Sequence, residues 1–297
     1  MNLRDLQYLV AVADNLHFGR AARQCHVSQP TLSMQLKKLE SNLSVQFFER
    51  NNKAVFLTPI GKQVVAHARR TLEEADQIRQ IAKSAGNPMT GDLRMGVFPT
   101  LAPYLLPSLV PDMKTNFPGL NLLLIEEKTS ALVLGLVEGQ MDCALLAMPV
   151  VNDHLEGIRL FEEPFMLAVG IHHPLAKRKL LSIEDLKGTT MLLLDEGHCL
   201  RDQALMVCQS IGLGEAKNFR ATSLETLRHM VAAGNAVTLM PRLAIQTDNP
   251  HLRYIPFKQP VPSRVIGLYW RKTSARISLY KAIEEKLFPG NVCPDGS

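Results

Sequence analysis

From Thr58 to Ala85 the sequence carries one unbroken helical stripe. Thr58 is placed to cap it, and Pro59 sits in the first turn, where a missing N–H leaves no orphaned bond. Gly86-Asn87-Pro88 stops it. Between these signals Ile60, Val64, Ala68, Leu72, Ala75, Ile78 and Ala82 recur at three- and four-residue steps. At ~1.5 Å per residue the helix is roughly 40 Å long, more than the width of a small domain. It therefore divides the chain into a short N-terminal body and a long C-terminal one. Its apolar stripe needs cover, either from a second copy as a coiled coil or from its own chain.

The N-terminal body is basic. Residues 1–90 hold twelve Lys or Arg against seven Asp or Glu, while the remainder is balanced at twenty-one of each. Excess charge confined to one end fits contact with a polyanion at that end. Leu3, Leu6, Leu9, Val10 and Ala13 mark a first helix. His17 or Phe18 opens a second, short one through Cys25, and His26-Val27 is a turn. Ser28 is an N-cap for a third helix from Gln29 to about Ser41. Leu32, Leu36 and Leu39 form its buried stripe, and Pro30, Ser33, Met34, Lys37 and Lys38 its outer side. Two short helices, a tight turn and a polar second helix make a helix-turn-helix, whose second helix lies in a DNA major groove. Ser33 can bond base edges or phosphates, and Lys37 and Lys38 suit phosphates or guanine. Val45–Arg50 and Val55–Leu57 read as two short strands around Asn51-Asn52-Lys53. This is a wing that brings Arg50 and Lys53 near the DNA backbone. Plain three-helix packing is the competing reading, and the wing and the basic bias weigh against it.

Several of these segments together resemble the winged helix-turn-helix of LysR-type transcriptional regulators. They are Phe18-Gly19-Arg20-Ala21-Ala22, Val27-Ser28-Gln29-Pro30-Thr31-Leu32-Ser33, Leu39-Glu40, Phe48-Glu49-Arg50 and Leu57-Thr58-Pro59-Ile60-Gly61. The resemblance implies a DNA reader that pairs through its long helix, with four subunits, a dimer of dimers, in the full assembly. The expected contacts to double-stranded promoter DNA are Ser28, Gln29, Pro30, Thr31, Ser33, Lys37, Arg50 and Lys53.

From residue 91 strand and helix patterns alternate. Strands are expected at Asp92–Phe98, Leu120–Glu126, Cys143–Met148, Met191–Leu194, Val237–Met240 and Arg264–Tyr269. Helices are expected at Ala102–Asn116, Ser130–Glu138, the segment after Cys199, Leu224–Ala233 and Ser274–Phe288. Such alternation predicts an α/β architecture with mostly parallel sheets. The LysR resemblance implies two periplasmic-binding-protein-like subdomains with a cleft between them. The expected division is a winged helix-turn-helix domain at 1–58, a linker and dimerisation helix at 59–88, and a regulatory domain at 89–297. Within the last, subdomain I is 89–163 plus 268–297 and subdomain II is 164–267, so the chain crosses near residues 163 and 267. No glycine-rich nucleotide motif is present.

Asp195 to Cys208 carries the reactive chemistry. Met191–Leu194 reads as a buried strand, Asp195 and Gly197 as a turn, and Leu200 onward as a helix. Cys199 therefore stands near a helix start, where free N–H groups and the dipole favour a thiolate, and His198 and Arg201 can add positive charge. Cys208 is nine residues on. On one regular helix the two lie ~13.5 Å apart along the axis and on opposite faces. A disulfide needs Cα atoms within roughly 7 Å, so the two can bond only if the helix between them is dismantled. Five cysteines in 297 residues are no disulfide scaffold. The N-terminus has no signal-peptide pattern and no run is long enough to span a membrane, so a reducing cytoplasm is expected. Cys25 and Cys143 read as buried small hydrophobes, Cys293 has no assignment, and His172-His173 before Pro174 reads as a turn. A zinc site from His198, Cys199 and Cys208 lacks a fourth ligand, and neither metal nor cofactor is expected.

Gly197-His198-Cys199-Leu200-Arg201-Asp202-Gln203 with Cys208 resembles the sensing segment of the hydrogen-peroxide-responsive LysR-type regulators. Pro99-Thr100, Pro103 to Pro107, Thr129 and Arg264 to Leu268 fit the same pattern. The resemblance implies that Cys199 is the peroxidatic thiol and Cys208 the resolving one. It further implies that Thr100, Thr129, His198, Arg201 and Arg264 hold peroxide or stabilise the thiolate. It also implies RNA polymerase as a partner and glutaredoxin or thioredoxin as reductant. Two other functions compete: a LysR-type regulator binding an organic effector in the cleft, and a thiol peroxidase. The DNA reader and the absence of a Cys-x-x-Cys motif weigh against the peroxidase.

Overall fold

The structure is a computed structural model describing residues 1–50, 55–84, 87–210, 215–234, 236–245 and 249–294. Its chain separates into two compact units, one of residues 1–86 with 138–140 and one of residues 87–137 with 141–297. Lys53, the Arg50 side chain and Gly86 lie outside the described residues.

In the first unit α1 (Leu3–Asn15), α2 (Phe18–Gln24) and α3 (Gln29–Leu43) enclose a small core of Leu9, Val12, Ala21, Leu32 and Leu36, each almost wholly buried. Each helix start is closed locally. An Asn2–Asp5 capping box opens α1, and the His17 imidazole accepts from the Gly19 and Arg20 amides at α2. At α3 the Ser28 hydroxyl accepts from the Thr31 amide. A hairpin, β1 (Phe48–Arg50) with β2 (Val55–Leu57), forms the wing. Its first strand is shorter than expected because the Glu40 carboxylate takes the Phe47 and Phe48 amides, at 2.8 and 3.4 Å.

Then comes α4 (Pro59–Ser84), capped by Thr58, whose Oγ1 accepts from the Gly61 amide at 2.9 Å. Its stripe divides. Val65 and Ala68 are buried with the core of this unit, and Val64 and Leu72 pack beside them, so Val65 rather than Val64 is the innermost contact. Ile60 and Ile78 remain exposed at 41% and 68%.

Among the described residues, the second unit is built on one mixed sheet of nine strands. In chain order they are β3 (Gly91–Val97), β4 (Leu120–Glu126), β5 (Cys143–Met148), β6 (Leu155–Gly170), β7 (Met191–Leu194), β8 (Glu215–Ala221), β9 (Val237–Pro241), β10 (Leu252–Pro256) and β11 (Ser263–Arg271). The spatial order is β4-β3-β5-β11-β6-β9-β7-β8, with β10 also on β6. The expectation of mostly parallel pairing is corrected here. Pairing is parallel only toward the two ends, β4/β3/β5 and β9/β7/β8, and antiparallel in the middle, where β6 and β11 run between the lobes. Long-range partners decide strand direction, and no local pattern reports them.

Helices α5 (Ala102–Asn116), α6 (Thr129–Val137) and α9 (Ile277–Leu287) belong to the first lobe. Helices α7 (Cys199–Ser210) and α8 (Leu224–Ala233) belong to the second. Each lobe has its own core. Leu93, Leu132, Leu146 and Trp270 lie in one, and Leu167, Met191, Leu200 and Leu239 in the other. Strand β6 changes partners between Pro164 and Phe165, and the Phe165 amide bonds the Pro262 carbonyl just before β11 begins. The return crossing is therefore at Pro262–Ser263. Gly267, near which it was expected, stands at a bulge where β11 shifts register against β6. A Cβ there would meet the Ile158 carbonyl at 2.9 Å, so only glycine lets the strands close.

Candidate thiol site between the two lobes

Four elements converge beside the Cys199 thiol. Cys199 is the first residue of α7, Thr100 lies in the turn between β3 and α5, Thr129 is the first residue of α6, and Arg264 is the second residue of β11. The Arg264 charge, the Thr100 and Thr129 hydroxyls and the Leu200 amide all stand near enough to the sulfur to favour its charged form. Thr129 Oγ1 is buried with no hydrogen-bond partner in this structure, and it lies close enough to the thiol to favour its charged form.

Arg264 is fully buried, and its guanidinium is completely oriented. Nη1 donates to Thr100 Oγ1 and Nη2 to the Thr100 carbonyl, both at 3.0 Å. Nε donates to Glu163 Oε2 at 2.7 Å. Glu163 faces Arg264 across the β6/β11 ladder, and its other oxygen accepts from the Leu243 amide at 2.9 Å. The guanidinium also lies over the Phe98 ring, 5.1 Å from its centroid. Glu163 is a residue that sequence reasoning missed. The available signal was the alternation Phe161, Glu163, Phe165, which puts a carboxylate on the inward face of the strand, where a buried charge demands a partner.

Burial pushes the Cys199 thiol above its ordinary value. Arg264, Thr129, the Leu200 amide and Thr100 pull it down without overcoming that. The expected thiolate at the helix start is therefore corrected for this geometry. Desolvation opposes the anion and outweighs the Arg264 charge. His198 does not supply positive charge either. It is buried, and burial lowers its pKa, so the imidazole is neutral at pH 7. Its Nε2 lies 2.9 Å from Asp195 Oδ1. Arg201 is buried and faces the Glu196 carboxylate at 3.8 Å. Of the residues expected at the thiol, Thr100, Thr129 and Arg264 act on the sulfur, whereas His198 and Arg201 engage the preceding turn.

Helix α7 includes both Cys199 and Cys208. Cys199 is half-buried against the first lobe's core, and Cys208 is 1% exposed within the second. An open cleft of about 420 Å3 reaches this junction, lined by Thr100, Tyr104, Lys128, His198 and Glu225 among others. Tyr104 donates to Glu225 at 2.9 Å, tying α5 of one lobe to α8 of the other. Among the described residues no cluster of His, Cys, Asp and Glu has the geometry of a metal site, and no helix is long and apolar enough to cross a membrane.

In the other unit, Ser28, Gln29, Pro30, Thr31 and Lys37 are exposed along the outer face of α3, and Ser33 is half-buried. Met34, 62% exposed, shares that face. Cys25 caps the end of α2 and Cys143 is buried in β5. His172-His173 forms a turn, with the His173 ring accepting from the Leu175 amide at 3.2 Å.

Residues 3–62 match the bacterial regulatory helix-turn-helix of the lysR family, and residues 86–287 match the LysR substrate binding domain. The chain is 44% identical over 289 residues to the DNA-binding transcriptional dual regulator OxyR of Escherichia coli K12, covering 97% of this chain and 95% of that protein. Among solved structures, it resembles a full-length OxyR from Pseudomonas aeruginosa bearing a cysteine-to-aspartate substitution. That match has a TM-score of 0.78 at 38% identity and covers 97% and 94% of the two chains. A hydrogen-peroxide-bound OxyR mutant from Corynebacterium glutamicum aligns with a TM-score of 0.67 at 33% identity, covering 96% and 91%.

Proposed function

The chain belongs to the LysR family of bacterial transcription regulators, and we propose that it is a DNA-binding regulator of the oxidative-stress response, switched by hydrogen peroxide at Cys199. The observation that carries this reading is the half-buried Cys199 held against two threonine hydroxyls and a fully oriented arginine. An ordinary core cysteine needs none of these.

The Thr100 and Thr129 hydroxyls seat the peroxide in line with the sulfur. The Cys199 thiol gives up its proton, and the thiolate attacks one oxygen. The O–O bond breaks, the sulfur becomes sulfenic acid, and the departing hydroxide takes a proton to leave as water. Arg264 and the Leu200 amide stabilise the negative charge on sulfur and on the departing oxygen. Cys208 then attacks the sulfenic sulfur, a second water leaves, and the Cys199–Cys208 disulfide forms. In sum, two thiols are oxidised and one peroxide is reduced to two waters. Because α7 holds the two cysteines on opposite faces, the disulfide exists only in a remodelled segment, and that remodelling is the signal. The event is a stoichiometric switch, not turnover.

The domain limits proposed for this machine are 1–58, 59–88 and 89–297. DNA contact is assigned to Ser28, Gln29, Pro30, Thr31, Ser33, Lys37, Arg50 and Lys53. The exposed part of the α4 stripe, Ile60 and Ile78, is available for pairing within a dimer of dimers. His198 and Arg201 shape the turn that presents Cys199. The protein acts in the cytoplasm with RNA polymerase, and glutaredoxin or thioredoxin reduces the disulfide. The test is one equivalent of peroxide followed by non-reducing peptide mass spectrometry, with promoter footprinting on the same sample. A Cys199–Cys208 link that accompanies a changed footprint is the expected result. A changed footprint without the link overturns the disulfide step, and a link without a footprint change overturns the regulatory role.

A further inference from the structure

Lys128 immediately precedes α6 and reaches from the first lobe to the turn in front of Cys199. Its ammonium donates to Asp195 Oδ2 at 3.0 Å and to the Glu196 carbonyl at 2.9 Å. The stem runs over Gly197, where an added Cβ would meet Lys128 Cδ at 3.1 Å. Gly197 has φ +90°, a left-handed conformation that lets the backbone curl under that stem. On its other oxygen, Asp195 faces His198 Nε2 at 2.9 Å. One cation thus grips a carboxylate, a carbonyl and a turn that lead directly into α7. Both partners are only partly exposed, with side-chain exposures of 39% and 31%.

We propose that Lys128 is a positioning residue that anchors the Cys199 end of α7 to the first lobe and so governs the step from sulfenic acid to disulfide. The inference rests on the disulfide mechanism given above. The two sulfurs cannot meet while α7 is intact, so one end of the helix or both must travel. With the grip closed, the Cys199 end is held and Cys208 makes the whole journey out of its core. With the grip released, both ends yield, and the barrier to closure falls. Lys128 forms no bond to sulfur and acts only through Asp195 and Glu196.

The test is a quenched time course on the full-length protein. Sulfenic acid is trapped with dimedone, and the disulfide is followed by non-reducing peptide mass spectrometry, giving separate rate constants for the two steps. In Lys128→Met the second rate constant rises about 3- to 10-fold, the range expected for losing a partly exposed ion pair with a second hydrogen bond. Lys128→Arg keeps the charge and stays within about twofold of wild type. Added salt accelerates the second step more in wild type than in Lys128→Met, because the variant lacks the Lys128–Asp195 pair while the Arg201 and Arg220 contacts to Glu196 remain in both. A second step that is unchanged or slower in Lys128→Met, with the disulfide forming in both proteins, overturns the anchoring role alone. Failure of wild type itself to form the Cys199–Cys208 disulfide overturns the underlying mechanism.

Discussion

Cys199 and Cys208 belong to one helix and to two different cores. Cys199 packs against the first lobe, and Cys208 is buried in the second, whose core also holds Leu200 and Ala204. Oxidation that joins them must break the helix and empty a core site together. The sensing chemistry is thus coupled to shape by geometry, with no separate transmitting element required at this step.

Cys199→Ser abolishes the peroxide-driven change in footprint. Cys208→Ser permits sulfenic acid, detectable with dimedone, but blocks the intramolecular bridge. Because Cys208 is buried, the serine hydroxyl also destabilises the second lobe by roughly 1–3 kcal/mol. Thermal unfolding of the reduced variants checks this, and Cys199→Ser, at a half-buried site, loses less.

Thr100→Val slows oxidation of Cys199 at least about tenfold, because it removes a hydroxyl beside the sulfur and the acceptor for Arg264 Nη1. DNA affinity of the reduced form stays at the wild-type value. Stopped-flow oxidation and a binding isotherm measure the two independently, and an oxidation rate equal to wild type would remove Thr100 from the peroxide site.

Glu163→Gln frees the Arg264 charge to act on the thiol, so the Cys199 pKa falls. The pH profile of sulfenic-acid formation then shifts to lower pH, and the rate at pH 7 rises. The substitution also leaves a buried arginine without its counter-charge, which lowers stability by about 3 kcal/mol. The pH profile separates the electrostatic effect from simple loosening, which leaves its midpoint in place.

Burial raises the pKa of Cys143, Cys199, Tyr104 and Tyr280 in the folded chain. These groups keep their protons in both states below about pH 8, where their stabilising contribution is fully present. Above unfolded values of about 8.5 for cysteine and about 10 for tyrosine, the unfolded chain releases protons first, and stability is lost progressively. The reduced protein should hold a constant Tm from about pH 7 to 8 and lose it from about pH 9 upward. Cys143→Ala flattens the first part of the decline, and a level profile to about pH 10.5 would contradict the burial argument.

Ser28→Ala costs roughly 1 kcal/mol of stability in the first unit, because the Thr31 amide loses its cap. Lys37→Ala weakens binding similarly to all DNA sequences and lowers the slope of log affinity against log salt by about 1. A selective loss at one base pair would instead assign Lys37 to base reading.

Legibility varied with how local the cause was. Helix α5 and strands β4 and β5 stand at their expected limits because their apolar periodicity and flanking turns act within a few residues. The strand β8, Glu215–Ala221, went unnoticed because a polar stretch at the edge of a sheet carries no clean alternation. On α4 the seven-residue stripe was visible, but which side turns inward depended on packing against the core of the first unit, so Val65 displaced Val64. At the thiol site, Thr100, Thr129 and Arg264 were reached through resemblance, not periodicity. Glu163 and Lys128 escaped both routes.

By itself the sequence determined the order of helices and turns, the separation of a basic reader from a balanced α/β body, and two cysteines too far apart on a helix to bond. Each follows from backbone geometry and side-chain periodicity over neighbouring residues. Only the tertiary structure decided strand direction in the sheet, the division of α7 between two cores and the resting state of the thiol. Arg264 meets Glu163 across 101 residues and Thr100 across 164. Acidity depends on water removed and charges met through space, and neither is written in the residues beside Cys199.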